Sequence, residues 1–142
     1  MRHLSNKEKK QINNKLPKGY TIDKKDEIKV KENIYFKGDE PYLIEREGKL
    51  LPHLKSIPET EYKSVYVDHG AIPFIAKGAD LMRPGIQKID EGISKDDVIM
   101  IKEEVKHKTI ALGISMLDSQ NLKKQEKGKS VIVYHYVGDE FY

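Results

Sequence analysis

The sequence predicts an α+β chain in two parts. Residues 1–60 read as one helix with a small antiparallel sheet, and residues 61–142 as a barrel-like sheet of short strands. Three observations predict it. Short runs of alternating or β-branched apolar residues recur along the chain and are closed by turn residues. A single capping-box signal, Ser5-Asn6-Lys7-Glu8, opens a helix near the start. Between the halves, residues 55–61 (KSIPETE) carry charge and proline without any period. A length of 142 residues suits one ordinary domain or two very small ones.

The helix is expected over residues 5–16, ended by Pro17 and Gly19, with Leu4, Ile12 and Leu16 as its apolar anchors. Residues 27–31 (EIKVK) alternate as a half-buried strand, and residues 34–36 form a second, stopped by Lys37-Gly38-Asp39. Residues 41–45 and 49–54 flank Arg46-Glu47-Gly48, a hairpin turn with glycine supplying positive φ. In the second half, residues 62–67 alternate as a strand. Residues 97–102 (DVIMIK) and 108–116 (KTIALGISM) are β-branched strands around the charged turn 103–107. Residues 118–124 fit a short helix, 125–129 a polar turn, and 130–136 (SVIVYHY) the last strand.

Charge is thick but nearly balanced. Asp, Glu, Lys and Arg make up 35% of the chain and the formal net charge is +3. The excess lies in residues 1–61, with 14 Lys+Arg against 11 Asp+Glu; residues 62–142 hold 12 of each. Such a balance gives only a weak prior for nucleic acid. Cysteine is absent, which excludes disulfides and thiol chemistry. No apolar run approaches membrane-spanning length and the start lacks a signal-peptide core, so a soluble, cytoplasmic protein is expected.

Signals for catalysis fail on inspection. Lys127-Gly128-Lys129-Ser130 ends like a phosphate loop, but Lys123 stands where the upstream glycine belongs. Gly113-Ile114-Ser115 lacks the second glycine of a nucleophile elbow. The five histidines show no zinc spacing. No enzyme activity, metal or cofactor is expected.

One stretch differs from the rest. Residues 67–86, VDHGAIPFIAKGADLMRPGI, hold only four charged residues, with three glycines and two prolines among aliphatic ones. A short helix over 70–76 places Pro73 in its first turn, where a missing N–H costs little. Gly78 then suits a left-handed helix end, residues 79–82 a short strand, and Pro84-Gly85 a turn out of it. Small residues at 70, 71, 76, 78 and 79 allow close packing on the sheet and leave backbone open to a ligand. Phe74, Met82 and Ile86 read as core.

This run resembles the signature of the PUA domain, an RNA-binding module named after pseudouridine synthases and archaeosine transglycosylases. The match lies in Val67, Asp68, Gly70, Ala71, Phe74, Gly78, Ala79, Met82, Pro84, Gly85 and Ile86. Residues 48–55 (GKLLPHLK) and the helix before them are similar to the pre-PUA part of archaeal PUA proteins and of the malignant T-cell-amplified translation-factor family. The resemblance implies a small pre-PUA α+β domain followed by a PUA pseudobarrel. It also implies a face for structured RNA, tRNA or rRNA, built from the first helix, the strand after it and the last strand. Carried over, that face includes Lys77, Arg83, Gly85, Tyr134 and Tyr136. Arg83 can alternatively form a salt bridge with Asp80 or Asp68. In the last strand Val131, Val133, His135 and Val137 share one face while Ile132, Tyr134 and Tyr136 share the other, and one of the two must be core. The resemblance further implies a role in translation, with the small ribosomal subunit or a translation factor as partner. The alternative is an accessory RNA-binding subunit of a tRNA or rRNA modification enzyme. Exchange of Lys77 and Arg83 for alanine is expected to weaken RNA binding and leave thermal unfolding nearly unchanged.

Overall fold

The computed structural model describes residues 1–142, which divide into two compact units: Met1–Glu61 with Phe141, and Tyr62–Glu140 with Tyr142. No helix is long and apolar enough to cross a membrane.

In the first unit the capping box forms as the residues dictate. The Glu8 N–H donates to Ser5 Oγ (3.1 Å) and the Ser5 N–H donates to Glu8 Oε1 (3.1 Å). Helix α1 runs over Asn6–Ile12, and a 3-10 turn, Asn13–Lys15, replaces the rest of the expected helix. Tightening the last turn is a common way to end before a proline, here Pro17. Strands β1 (Arg2–His3), β2 (Ile28–Lys31), β3 (Ile34–Lys37), β4 (Glu40–Arg46) and β5 (Lys49–Pro52) pair in sequence order as an antiparallel sheet. Strand β1 has no period of its own; its two residues pair with Val30 and Lys29 of β2. Glu47 (φ 51°) and Gly48 (φ 79°) turn β4 into β5, both with the positive φ that a two-residue hairpin needs. Leu4, Tyr20, Ile22, Ile28, Tyr35, Leu43 and Leu50 form the core.

The second unit carries β6 (Ser64–Val67), α2 (Ile72–Ile75), β7 (Leu81–Met82), β8 (Ile86–Ile89), β9 (Val98–Glu103), β10 (Thr109–Ser115), α3 (Ser119–Lys124) and β11 (Lys129–Tyr136). Its six strands run in the order β7-β11-β10-β9-β6-β8 and curl into a pseudobarrel; β6 and β9 are parallel, the other pairs antiparallel. Asp118 caps α3 by accepting the Asn121 N–H (2.9 Å).

Strand β8 has no alternation to announce it. Ile86 and Ile89 are both buried although three residues apart, because the pairing slips between Tyr66 and Val67 and leaves Gln87 unmatched. A bulge also reshapes β11. Leu112 faces His135 and Gly113 faces Val133, so Tyr134 is the extra residue. The side-chain period breaks there. Val131, Val133 and Tyr136 therefore all pack on the barrel core, and the strict alternation expected for 130–136 does not hold. Gly113 is the residue that permits it: a Cβ there would stand 2.4 Å from Val131 Cγ1 and 2.7 Å from the Ile132 carbonyl oxygen.

Candidate nucleic-acid interface

The glycine- and proline-rich stretch forms a ledge on the pseudobarrel. At the end of β6, Asp68 starts it by accepting the Ala71 N–H (3.1 Å) through one oxygen and the Gln87 side-chain amide (3.0 Å) through the other. Helix α2 is one turn long with Pro73 in that turn. Ile75 is its buried anchor and Ile72 packs partly on the same core. A single turn has room for only one inward face, so the residue between them, Phe74, points to solvent and is 65% exposed. Met82 is also exposed, at 46%. The expectation that Phe74, Met82 and Ile86 are all core thus holds for Ile86 alone.

Gly78 ends α2 with φ +86°; the Gly78 N–H donates to the Ile75 carbonyl (2.9 Å) and the Ala79 N–H to the Phe74 carbonyl (3.0 Å). The surrounding contacts are close. A Cβ on Gly78 would meet the Tyr136 ring at 3.1 Å, and one on Gly85 would meet Ala71 Cβ at 3.0 Å. Residues 76–79, including Lys77, are exposed. Ala71, Phe74, Met82, Pro84 and Gly85 line an open cleft of about 420 Å³, with Asp68 and Asp80 at its edge. Asp80 accepts the Val133 N–H (3.0 Å) and pairs with Lys129 (3.2 Å).

The five residues carried over from the resemblance do not lie in one kind of environment. Lys77 is exposed at the end of α2 and forms no ion pair. Gly85 sits half-buried at the cleft wall, in a 3-10 turn with Arg83 and Pro84. Tyr136 lies half-buried beneath Gly78. Tyr134, the extra residue of the bulge, is only 7% exposed. So little surface speaks against the expectation that its ring is free to stack on a base.

Arg83 is tied into the scaffold. Its Nε donates to the Leu122 carbonyl (2.7 Å) at the end of α3 and its Nη1 to the Ile86 carbonyl (3.0 Å). Neither Asp68 nor Asp80 pairs with it. The guanidinium ties the 83–85 turn to α3 and β8, so its removal is now expected to cost stability.

Chemically, the cleft offers an exposed ring and a thioether to a base face, and Lys77, outside the cleft lining, offers an ammonium to a phosphate. The exposed Phe74, Met82 and edge carboxylates were missed from sequence. The signal was the Ile72–Ile75 spacing, which fills the inner side of a one-turn helix and leaves Phe74 outside.

A curled six-stranded pseudobarrel with a one-turn helix after its first strand defines the PUA class, and the PUA-domain family model matches residues 63–137. A second model, described as a domain of unknown function (DUF1947), matches residues 1–60. The chain belongs to the PUA-domain family, in the group with a pre-PUA unit that is similar to the malignant T-cell-amplified proteins. An uncharacterized protein of Methanocaldococcus jannaschii is 38% identical over 107 residues, covering 72% of this chain and 65% of that one. Translation machinery-associated protein 20 of Saccharomyces cerevisiae is 31% identical over 132 residues, covering 83% of this chain and 72% of its own. The malignant T-cell-amplified sequence 1 homolog of Drosophila melanogaster is 31% identical, with 72% and 59% covered.

Among solved structures, a hypothetical protein of Pyrococcus horikoshii aligns with a TM-score of 0.76 at 30% identity, over 98% of this chain and 95% of that one. A structure described as an H/ACA RNP bound to a substrate RNA aligns with a TM-score of 0.55 at 29% identity, over 67% of this chain and 29% of the other.

Proposed function

We propose that this protein is a non-enzymatic binder of structured RNA, tRNA or rRNA, acting in translation. The observation that carries the reading is the ledge itself: the glycine-built turn keeps Phe74, Met82 and Lys77 at the surface around an open cleft. Exposed apolar area of this kind, beside a cation, suits unpaired bases next to a phosphate backbone. In this reading Phe74 stacks on a base and Lys77 meets phosphate. Gly85 admits close backbone approach, Tyr136 supports the ledge from below, and Arg83 positions the turn that carries Pro84 and Gly85. The similarity to translation machinery-associated protein 20 supports the setting.

Fluorescence anisotropy with a synthetic RNA hairpin bearing a single-stranded 3′ tail tests it. Phe74→Ala is expected to weaken binding by about 5- to 150-fold, the equivalent of roughly 1–3 kcal/mol for a base stacked on an aromatic ring. Affinity unchanged by Phe74→Ala and by Lys77→Gln would move the interface elsewhere.

A second reading, an accessory RNA-binding subunit of an RNA modification enzyme, is favoured by the likeness to the H/ACA RNP structure. Affinity purification separates the two. Recovery with ribosomal subunits supports the first, and recovery with a modification enzyme at equal stoichiometry supports the second.

A further inference from the structure

The first unit holds a concavity that the ledge does not explain. It is open, about 650 Å³, and lined by one side of α1, its 3-10 extension and the 22–24 loop. Asn6, Lys9, Lys10 and Asn13 fall at i, i+3, i+4 and i+7, so one face of the helix is a polar, cationic stripe where a packed helix carries apolar residues. Lys7 and Lys24 add to it, and Asp23 is the only carboxylate on the wall.

Several cations of this unit, though not Lys15, Lys31 or Lys49, are neutralised by carboxylates. Arg2 pairs with Glu8, Lys18 with Glu61 (3.9 Å), Lys29 with Glu27 and Asp39 (3.3 and 2.9 Å), and Lys37 with Asp26 (3.5 Å). None of Lys7, Lys9, Lys10 and Lys24 has a carboxylate partner. Lys9 is the clearest case. Its side chain is buried, at 8% exposed, and Nζ donates to the Lys24 carbonyl (3.0 Å), an uncharged acceptor. Burying an ammonium without a counter-charge is costly, and like charges one helical turn apart repel. An anion in the concavity relieves both.

We infer that this concavity is a phosphate-binding site, and that the phosphates it takes are those of the RNA backbone, a second contact separate from the ledge. Lysines act as point charges on phosphate, and no aromatic or arginine side chain is present on the wall to anchor a protein partner. The RNA assignment rests on the reading given above, whereas the anion site stands on the first unit alone.

Two measurements on the full chain keep these apart. The first is an NMR titration of isotope-labelled protein with inorganic pyrophosphate. Shifts confined to amides of residues 6–13 and 22–24 are expected. No shift there overturns the site, whatever the fate of the ledge. The second compares Lys7→Gln/Lys10→Gln/Lys24→Gln, all at exposed positions, with an equal charge removal at the exposed Lys31, Lys95 and Lys106. For the tailed hairpin the first set is expected to lose about tenfold or more in affinity, and the slope of log Kd against log salt to fall by about two. The control set should lose less than about threefold by the same screened electrostatics. Equal losses in the two sets overturn the RNA assignment. Displacement of pyrophosphate by a synthetic polyglutamate but not by the hairpin overturns it in favour of an acidic protein.

Discussion

Replacing Arg83 by methionine separates scaffold from interface. Methionine keeps most of the unbranched stem and removes the two hydrogen bonds, 2.7 Å to the Leu122 carbonyl and 3.0 Å to the Ile86 carbonyl. A hydrogen bond from a charged donor contributes about 1.5–3 kcal/mol. Two discounts apply: Arg83 is half-buried, so water can replace part of each bond, and the Leu122 carbonyl also accepts the Gln125 N–H at 3.3 Å. A net loss of roughly 2–3 kcal/mol remains. For a unit of this size each kcal/mol lowers Tm by about 4–8 °C, so the transition of the second unit should fall by roughly 8–24 °C. Differential scanning calorimetry reads it, and Arg83→Lys, with one donor group in place of a fork, should recover less than half. Well below the transition, affinity for the tailed hairpin should change less than about threefold, since the guanidinium is committed to protein carbonyls. An unshifted transition together with a large loss of affinity would refute this reasoning and return Arg83 to the RNA.

Other outcomes follow from the same contacts. Gly113→Ala forces a methyl to within 2.4 Å of Val131 and 2.7 Å of backbone, and should destabilise by about 3 kcal/mol or more in urea unfolding. Tyr134→Ala should cost about 3–5 kcal/mol by leaving a cavity, with RNA affinity nearly unchanged below the transition. The first unit should weaken in acid. The Asp23 N–H (2.7 Å) and then Lys37 hold the Asp26 carboxyl below the usual carboxylate range, and the Lys29 ammonium does the same for Asp39. A depressed folded value means a stabilisation that is whole above the ordinary carboxylate range and fades as pH falls through the folded value. The urea midpoint should therefore decline below about pH 4, less steeply in Asp39→Asn. At the alkaline end Lys29 is raised, by Asp39 first and Glu27 second, so its contribution persists below its ordinary value and fades only above it.

Local chemistry made much of this fold legible. Ser5 and Glu8 announced α1, Asp118 stood one residue before α3, and Gly78 took the left-handed end its place between helix and strand required. What stayed hidden depends on partners distant in sequence. The Tyr134 bulge exists because Gly113, on the neighbouring strand, leaves room for it, and no pattern within residues 130–136 records that. Strand β8 is disguised by a slip opposite Tyr66 and Val67. Arg83 sits among turn residues, and only the return of α3 beside it shows where its donors go. Phe74 and Met82 look like core by composition, yet the shortness of α2 and β7 leaves them outside. Propensity is read locally, whereas exposure is decided by what packs opposite.

The most direct measurement is ultraviolet crosslinking of the purified full chain to the tailed hairpin, with adducts mapped to residues by mass spectrometry. Adducts at Phe74, Lys77 and Met82, lost on Phe74→Ala while the heat of unfolding stays constant, are the expected result. Adducts concentrated instead on the turn between β9 and β10, with the ledge unmarked, would contradict the assignment of RNA to the ledge.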